Sequence, residues 1–251
     1  MSNTVEAAIP APSIAVHEAE FFGRLAGDWW NPSGSSAMLH RITPVRSALV
    51  RDTATALFGR KARARQPLAG LSALDIGCGA GLMTEPLARM GAAATGIDAA
   101  PENIAAAADH ARAGGLAIDY RATSVEALAA TGACFDIITC FEVVEHVADR
   151  DSFFAGLAAL LAPGGIAILS TPNRTPASWA VLIAGAEWLT RRIPRGAHDW
   201  KRFMKPAELS EALVNAGLSV TATHGLGWSP ASGFRLGSDL SINYFLVASR
   251  P

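Results

Sequence analysis

The chain has 251 residues, 50% of them hydrophobic and 17% charged, with a formal net charge of −1 at pH 7. That is ample for one large domain with a full core, and the lack of a basic surplus argues against nucleic acid as a partner. The three cysteines, Cys78, Cys134 and Cys140, lack metal-ligand spacing and fall in or beside expected buried strands, as the reduced, packed thiols of a cytosolic protein do.

Met1 to Val16 contains no Lys or Arg and includes Pro10 and Pro12. It lacks the charged start and apolar stretch of a secretory signal, so residues 1–16 are expected to form a disordered tail. One domain is expected over 17–251, with N-terminal helices within 17–65. Glu18 to Ala26 and Pro44 to Phe58 read as helices flanking an aromatic, turn-rich segment, Asp28 to Gly34, and Arg60 to Arg65 reads as a solvated linker. Strands and helices then alternate, which implies a parallel sheet. Strands are expected near 71–76, 93–98, 117–121, 135–140 and 166–171. The intervening helices include Leu82 to Met90, Pro101 to Ala113 (closed by Gly114-Gly115) and Asp151 to Leu161. After Thr171 the rhythm of strand and helix periods breaks for about thirty residues. It resumes with a helix from Pro206 to Ala216 and strands near 218–224 and 243–249. No uninterrupted apolar stretch is long enough to span a bilayer.

The most informative segment is Ala73-Leu74-Asp75-Ile76-Gly77-Cys78-Gly79-Ala80-Gly81. The apolar run supplies a buried strand. The glycines let the backbone turn without Cβ atoms, so a ligand can lie against it, and the helix that follows aims its N-terminal N–H groups at that turn. Asp98 ends the next apolar run, where a ribose would need a hydroxyl acceptor. The dinucleotide fingerprint G-x-G-x-x-G, started at Gly77, would need glycine at position 82, which is Leu82. The pattern D-x-G-C-G-x-G instead resembles the first motif of class I S-adenosylmethionine-dependent methyltransferases. The resemblance implies an α/β, Rossmann-like, mostly parallel seven-stranded sheet with helices on both faces, and a ligand edge shared by Gly77, Asp98 and Phe141.

Further segments narrow the family: His40 to Arg46, Thr139 to Val147, Ser170 to Arg174, Gly185 to Trp188, Pro194 to Trp200 and Phe203 to Leu209. This ordered set closely resembles the ubiquinone-biosynthesis O-methyltransferases, which methylate polyprenylated catechol-type precursors, and the likeness runs from about Glu18 to Ser249. It implies cofactor contacts at Arg46, Gly77, Asp98 and Phe141, with Asp75 and Gly79 in the same motif and Ser124 and Val125 as weaker candidates for the adenine edge. Arg46 also suits the methionine carboxylate on its own chemistry, a guanidinium fork meeting two oxygens. The resemblance further implies two acceptors for one site (3-demethylubiquinol and 2-polyprenyl-6-hydroxyphenol), peripheral association with the inner membrane from the cytoplasm, and contacts with other ubiquinone-biosynthesis proteins.

A phenol of pKa near ~10 is protonated at neutral pH, so its proton must be removed by a base or its oxygens held by a divalent metal. Glu142, Glu145 and His146 are the candidates. On a helix, their spacing would put all three on one face, able to hold a partly hydrated Mg2+, as the same E-x-x-E-H is regarded as doing in some relatives. The alternative is that they orient the cofactor site without metal. His198, followed by Asp199, is a second candidate base, and Trp29 and Trp30 are either an aromatic lid or helix packing. Within the insertion at about 175–202, Trp179, Leu182, Ile183, Ala186, Leu189 and Ile193 follow helical spacing, flanked by Trp188 and ending at Arg191, Arg192 and Arg195. Residues 176–195 thus suit a helix lying in a membrane surface, the alternative being a stripe that packs on the domain. The competing functions are methylation of a soluble small phenol and a non-catalytic cofactor-binding scaffold.

Overall fold

The computed structural model describes residues 13, 14, 18, 20, 23, 24, 26–183 and 199–251. Eight strands form one sheet: β1 (Ser72–Ile76), β2 (Ala93–Asp98), β3 (Asp119–Ala122), β4 (Phe135–Phe141), β5 (Leu161–Pro172), β6 (Ser219–Ser229), β7 (Gly233–Gly237) and β8 (Asn243–Ser249). Their order is β3-β2-β1-β4-β5-β8-β6-β7, with β1 to β5 parallel and β8 inserted antiparallel between β5 and β6. Among the described residues, the α-helices of five or more residues are α1 (Ala37–Leu57), α2 (Thr84–Arg89), α3 (Pro101–Ala113), α4 (Val125–Ala129), α5 (Arg150–Leu160) and α6 (Pro206–Asn215). The winding reverses between β1 and β4, which opens a crevice at their carboxyl ends.

The central strands read as apolar runs because both of their faces are covered. Alternate residues enter two cores. Leu74, Ile138, Leu169 and Leu246 join α4, α5 and α6 on one face, whereas Ala73, Ile137, Ile168 and Val247 join α1 and α2 on the other. The middle of the chain follows the sequence reading closely: α3, β2 and β8 have the expected bounds.

Three departures stand out. Helix α1 begins at Ala37 and carries Pro44 in its interior, although proline was expected to start it. Pro44 cannot donate to the carbonyl one turn back, but the helix buries Ile42, Arg46, Leu49, Val50 and Ala54 on one face, and that packing outweighs the missing bond. The sheet has eight strands rather than seven, because β6 runs on to Ser229 and turns back as β7. Cys134 is exposed, while Cys78 and Cys140 are buried as expected.

Of the expected tail, only Ser13 and Ile14 lie within the described residues. They are docked: the Ser13 carbonyl accepts from the Ala148 N–H at 2.8 Å, and Ile14 bridges Val147. Among the described residues, no helix is long and apolar enough to cross a membrane.

Candidate active site

The glycine turn leaves β1 with three successive left-handed glycines, Gly77 (φ 66°), Gly79 (φ 52°) and Gly81 (φ 91°). Space is as decisive as φ here. A Cβ on Gly77 would stand 2.4 Å from Val143 Cγ2, and one on Gly79 would stand 2.6 Å from the Trp29 ring. The Trp29-Trp30 segment therefore lies directly on the turn. Trp30 Nε1 donates to the Ala80 carbonyl at 3.0 Å, and its ring stacks on His110 at 3.4 Å. Trp29 thus borders the site cavity, while Trp30 packs against His40 and His110.

Asp98, at the end of β2, holds the turn in place. Its Oδ2 accepts from the Gly79 N–H at 2.9 Å, and its Oδ1 accepts from the Ala100 N–H at 2.8 Å and from Asn103 Nδ2 at 3.2 Å. Burial pushes its carboxyl above the usual range, and these donors oppose that shift. Asp75 is buried beneath the turn and accepts from Thr84 and Thr139 hydroxyls, each at 2.7 Å. Burial raises its pKa to about 6. Asp75 thus ties β1 to α2 and β4.

Arg46 is buried on α1 and borders the same crevice. Its Nη2 donates to Glu142 Oε1 at 2.7 Å, and its Cζ lies 4.9 Å over the Phe141 ring. Desolvation lowers the Arg46 pKa, and the nearby Glu142 carboxylate opposes part of that shift. Glu142 also accepts from Ser170 Oγ at 2.6 Å and from Asn243 Nδ2 at 3.0 Å. Arg46 Nε is buried with no hydrogen-bond partner among the described residues. A ligand carboxylate reaching it would satisfy that donor.

The expectation that Glu142, Glu145 and His146 share one helical face does not hold. Glu142 follows β4 with φ 58°, in the left-handed region, and only Val144–His146 form a single 3₁₀ turn. The three side chains consequently diverge. Glu142 turns to Arg46, Glu145 Oε2 accepts from Thr171 Oγ1 at 3.0 Å, and His146 Nδ1 lies 3.0 Å from Glu18 Oε2. This donor set does not fit a shared Mg2+. Among the described residues, no three His, Cys, Asp or Glu side chains form a group that could hold a metal.

His146 has instead acquired a carboxylate partner that the sequence did not reveal. Glu18 Oε1 accepts from Arg202 Nη1 at 2.8 Å, and Arg202 Nη2 donates to the His146 carbonyl at 2.8 Å. These contacts join segments 56 to 184 residues apart, so no local pattern announces them. His198 lies outside the described residues, as does 184–198 of the insertion. Of the stripe within it, Trp179 is exposed and Leu182 and Ile183 are half-buried.

Many of these groups border one cavity of about 730 Å³. Gly77, Asp98, Phe141, Arg46, Ser124 and Val125 line it together with Glu142, His146 and Glu18. Gly79 shares the turn and Asp75 lies at its floor.

Comparison with known proteins decides the family. Residues 74–169 match the family described as "Methyltransferase domain". A "Ubiquinone biosynthesis O-methyltransferase" of Methylobacterium sp. (strain 4-46) is 45% identical over 241 residues, covering 96% of this chain and 97% of the relative. One from Rhizobium johnstonii is 44% identical over 93% of this chain and 95% of its own length. The chain belongs to the ubiquinone biosynthesis O-methyltransferase family. Its fold is that of the class I S-adenosylmethionine-dependent methyltransferases. The magnesium protoporphyrin IX methyltransferase of Synechocystis PCC 6803, solved with bound SAH, superposes with a TM-score of 0.62 at 20% identity, over 93% of this chain and 98% of that one. The plantazolicin methyltransferase BpumL also gives 0.62, at 14% identity, over 94% and 97%. The expected sheet and family are thus borne out, with β7 as an addition to the seven strands expected.

Proposed function

We propose that this enzyme transfers the methyl group of S-adenosylmethionine to a ring hydroxyl of polyprenylated catechol or phenol precursors of ubiquinone, 3-demethylubiquinol and 2-polyprenyl-6-hydroxyphenol. One observation carries the reading: the glycine turn and a carboxylate-backed histidine border the same cavity. The name shared by relatives of 43–45% identity supplies the substrate class.

The turn Gly77-Cys78-Gly79 and Asp98 bind the nucleoside, with Asp98 positioned for ribose hydroxyls and Ser124 and Val125 for the adenine. Arg46 binds the methionine carboxylate through its guanidinium, whose Nε has no partner among the described residues, while Glu142 keeps the buried charge neutralised. Phe141 lies under Arg46 and contributes backbone at the end of β4. Bound S-adenosylmethionine supplies an electrophilic methyl group on sulfur, and the protein must align an acceptor oxygen in line with it and exclude water. His146 is the base. Its Nδ1–H donates to Glu18, which fixes the tautomer and stabilises the imidazolium formed when Nε2 takes the phenolic proton. Arg202 holds Glu18 in turn. No step is routed through a metal, so a chelator should leave the rate unchanged. A rate abolished by chelator and restored by Mg2+ would refute the His146 mechanism.

The test of the site is His146→Ala. Turnover should fall at least ~100-fold, the usual contribution of acid–base catalysis, while cofactor affinity stays nearly constant. Full activity would dismiss His146 and leave His198 as the better base. Docking of 176–195 on a membrane surface is part of the same proposal, supported by exposed Trp179 and Val181 at the start of that segment.

A further inference from the structure

The β6–β7 hairpin is the element the sequence did not foresee, and its placement has a chemical meaning. β6 is antiparallel to β8, which is antiparallel to β5, so β6 runs in the direction of the parallel strands. It pairs with β8 only as far as Gly225, and from Gly225 to Ser229 it pairs with β7 instead. Those last residues therefore project beyond the carboxyl edge of the sheet, over the crevice. Gly225 permits this: a Cβ there would stand 1.8 Å from the Asp239 carbonyl oxygen of the returning chain.

The two faces of the hairpin differ. Leu226 pairs with Leu236, and Trp228 with Phe234, so all four share one face, whereas the Gly227–Arg235 pair occupies the other. Leu226 and Leu236 pack against the core beneath α1. One step further out, Trp228 is 60% exposed and, with Phe234, lines the same cavity as the glycine turn. Met38 and Leu39 of α1 line that cavity too, as do Val181 and Leu182. An apolar face continuous with the core thus runs out to solvent through the active-site cavity, and a large aromatic stands uncovered at its end.

We propose that this face is the path of the substrate's isoprenoid tail, with Trp228 and Phe234 covering the first isoprene units as they leave the ring. The inference rests on the methyltransferase reading above and assigns it a specificity-determining surface. The occupant follows from continuity. A tail leaving an aromatic ring held beside His146 must exit through the cavity mouth, and the hairpin is an apolar wall of that mouth. Charged or polar rings entering without a tail gain nothing from it.

The test is the ratio of kcat/KM for a water-soluble demethylated quinol bearing a short isoprenyl tail to that for the same ring bearing a methyl group. It is measured on the full chain for the wild type, the double variant Trp228→Ser/Phe234→Ser and the apolar control Trp228→Leu/Phe234→Leu. The polar double variant should lower the ratio about tenfold or more through the KM of the prenylated acceptor, the discrimination expected of a lost apolar contact. The leucine control should stay within about threefold of the wild type, since its tail contact remains apolar. An unchanged ratio in the serine variant overturns the inference. So does a fall in both rates together with loss of S-adenosylmethionine binding, which would make the hairpin merely structural. A wild type that methylates both acceptors equally removes the tail path while leaving the methyltransferase activity standing. One that methylates neither acceptor refutes the proposed function and, with it, this inference.

Discussion

Replacing Glu142 probes backbone strain and buried charge at once. The residue sits at φ 58° and its carboxylate neutralises Arg46, whose side chain is 6% exposed against 20% for Glu142. Glu142→Gln keeps the shape but leaves a buried guanidinium without its counter-charge. Breaking a buried pair costs about 3–5 kcal/mol, and the partial exposure of Glu142 places the loss near about 3 kcal/mol. Glu142→Ala removes the acceptor for Ser170 and Asn243 as well, and so should cost more. Glu142→Gly makes the same deletion but relieves the left-handed backbone, worth roughly 1–2 kcal/mol for a residue with a Cβ. The expected order of stability is therefore wild type, Gln, Gly, Ala. For a domain of this size each kcal/mol shifts the melting temperature by about 2–4 °C, so Gly should melt a few degrees above Ala and Gln roughly 6–12 °C below the wild type. Calorimetric melting at neutral pH reads all four. An alanine variant as stable as the glycine one would refute the strain, and a glutamine variant within about 0.5 kcal/mol of the wild type would refute the buried ion pair.

Asp98→Ala should weaken S-adenosylmethionine binding by on the order of 1.5–3 kcal/mol and also lower the melting temperature, because Gly79, Ala100 and Asn103 lose their acceptor; unchanged affinity in titration calorimetry would sink the ribose assignment. Gly77→Ala should cut cofactor affinity about tenfold or more, since φ 66° and the 2.4 Å approach to Val143 both oppose a methyl group. Asp75 carries a pH signature. Its folded pKa, about 6, lies above the ordinary 3.8, so its ionisation opposes folding at neutral pH, and stability on this account rises as pH falls from above 6 toward 4. The difference is worth roughly 3 kcal/mol, and Asp75→Asn should flatten that limb of the stability curve. A wild type and Asn variant with parallel pH profiles would remove Asp75 as its source.

The parts of the site carried by local sequence were legible. The apolar strand, three glycines and a carboxylate after the next strand specify one turn, because each is demanded by backbone geometry within about thirty residues. Arg46, Asp98 and Phe141 accordingly all border the cavity. What failed was inference across a kink. Helical spacing predicts one face for Glu142, Glu145 and His146, but the backbone enters the left-handed region at Glu142 and continues only as a single 3₁₀ turn, so the three side chains part. What was invisible was contact at long range. Glu18 meets His146 across 128 residues, and the Trp228–Phe234 pair has meaning only once β6 is known to run past the sheet edge. Pro44 misled for a related reason: a proline rule is local, whereas the apolar face that carries α1 through it is tertiary.

The central claim is that this chain methylates a prenylated quinol hydroxyl from S-adenosylmethionine. It is tested most directly by incubating the protein with methyl-labelled S-adenosylmethionine and a demethylated prenyl quinol, then identifying the product by mass spectrometry. The account predicts one labelled methyl ether on the ring hydroxyl per S-adenosylhomocysteine released. Protein that binds S-adenosylmethionine by calorimetry yet leaves the quinol unmethylated would contradict it.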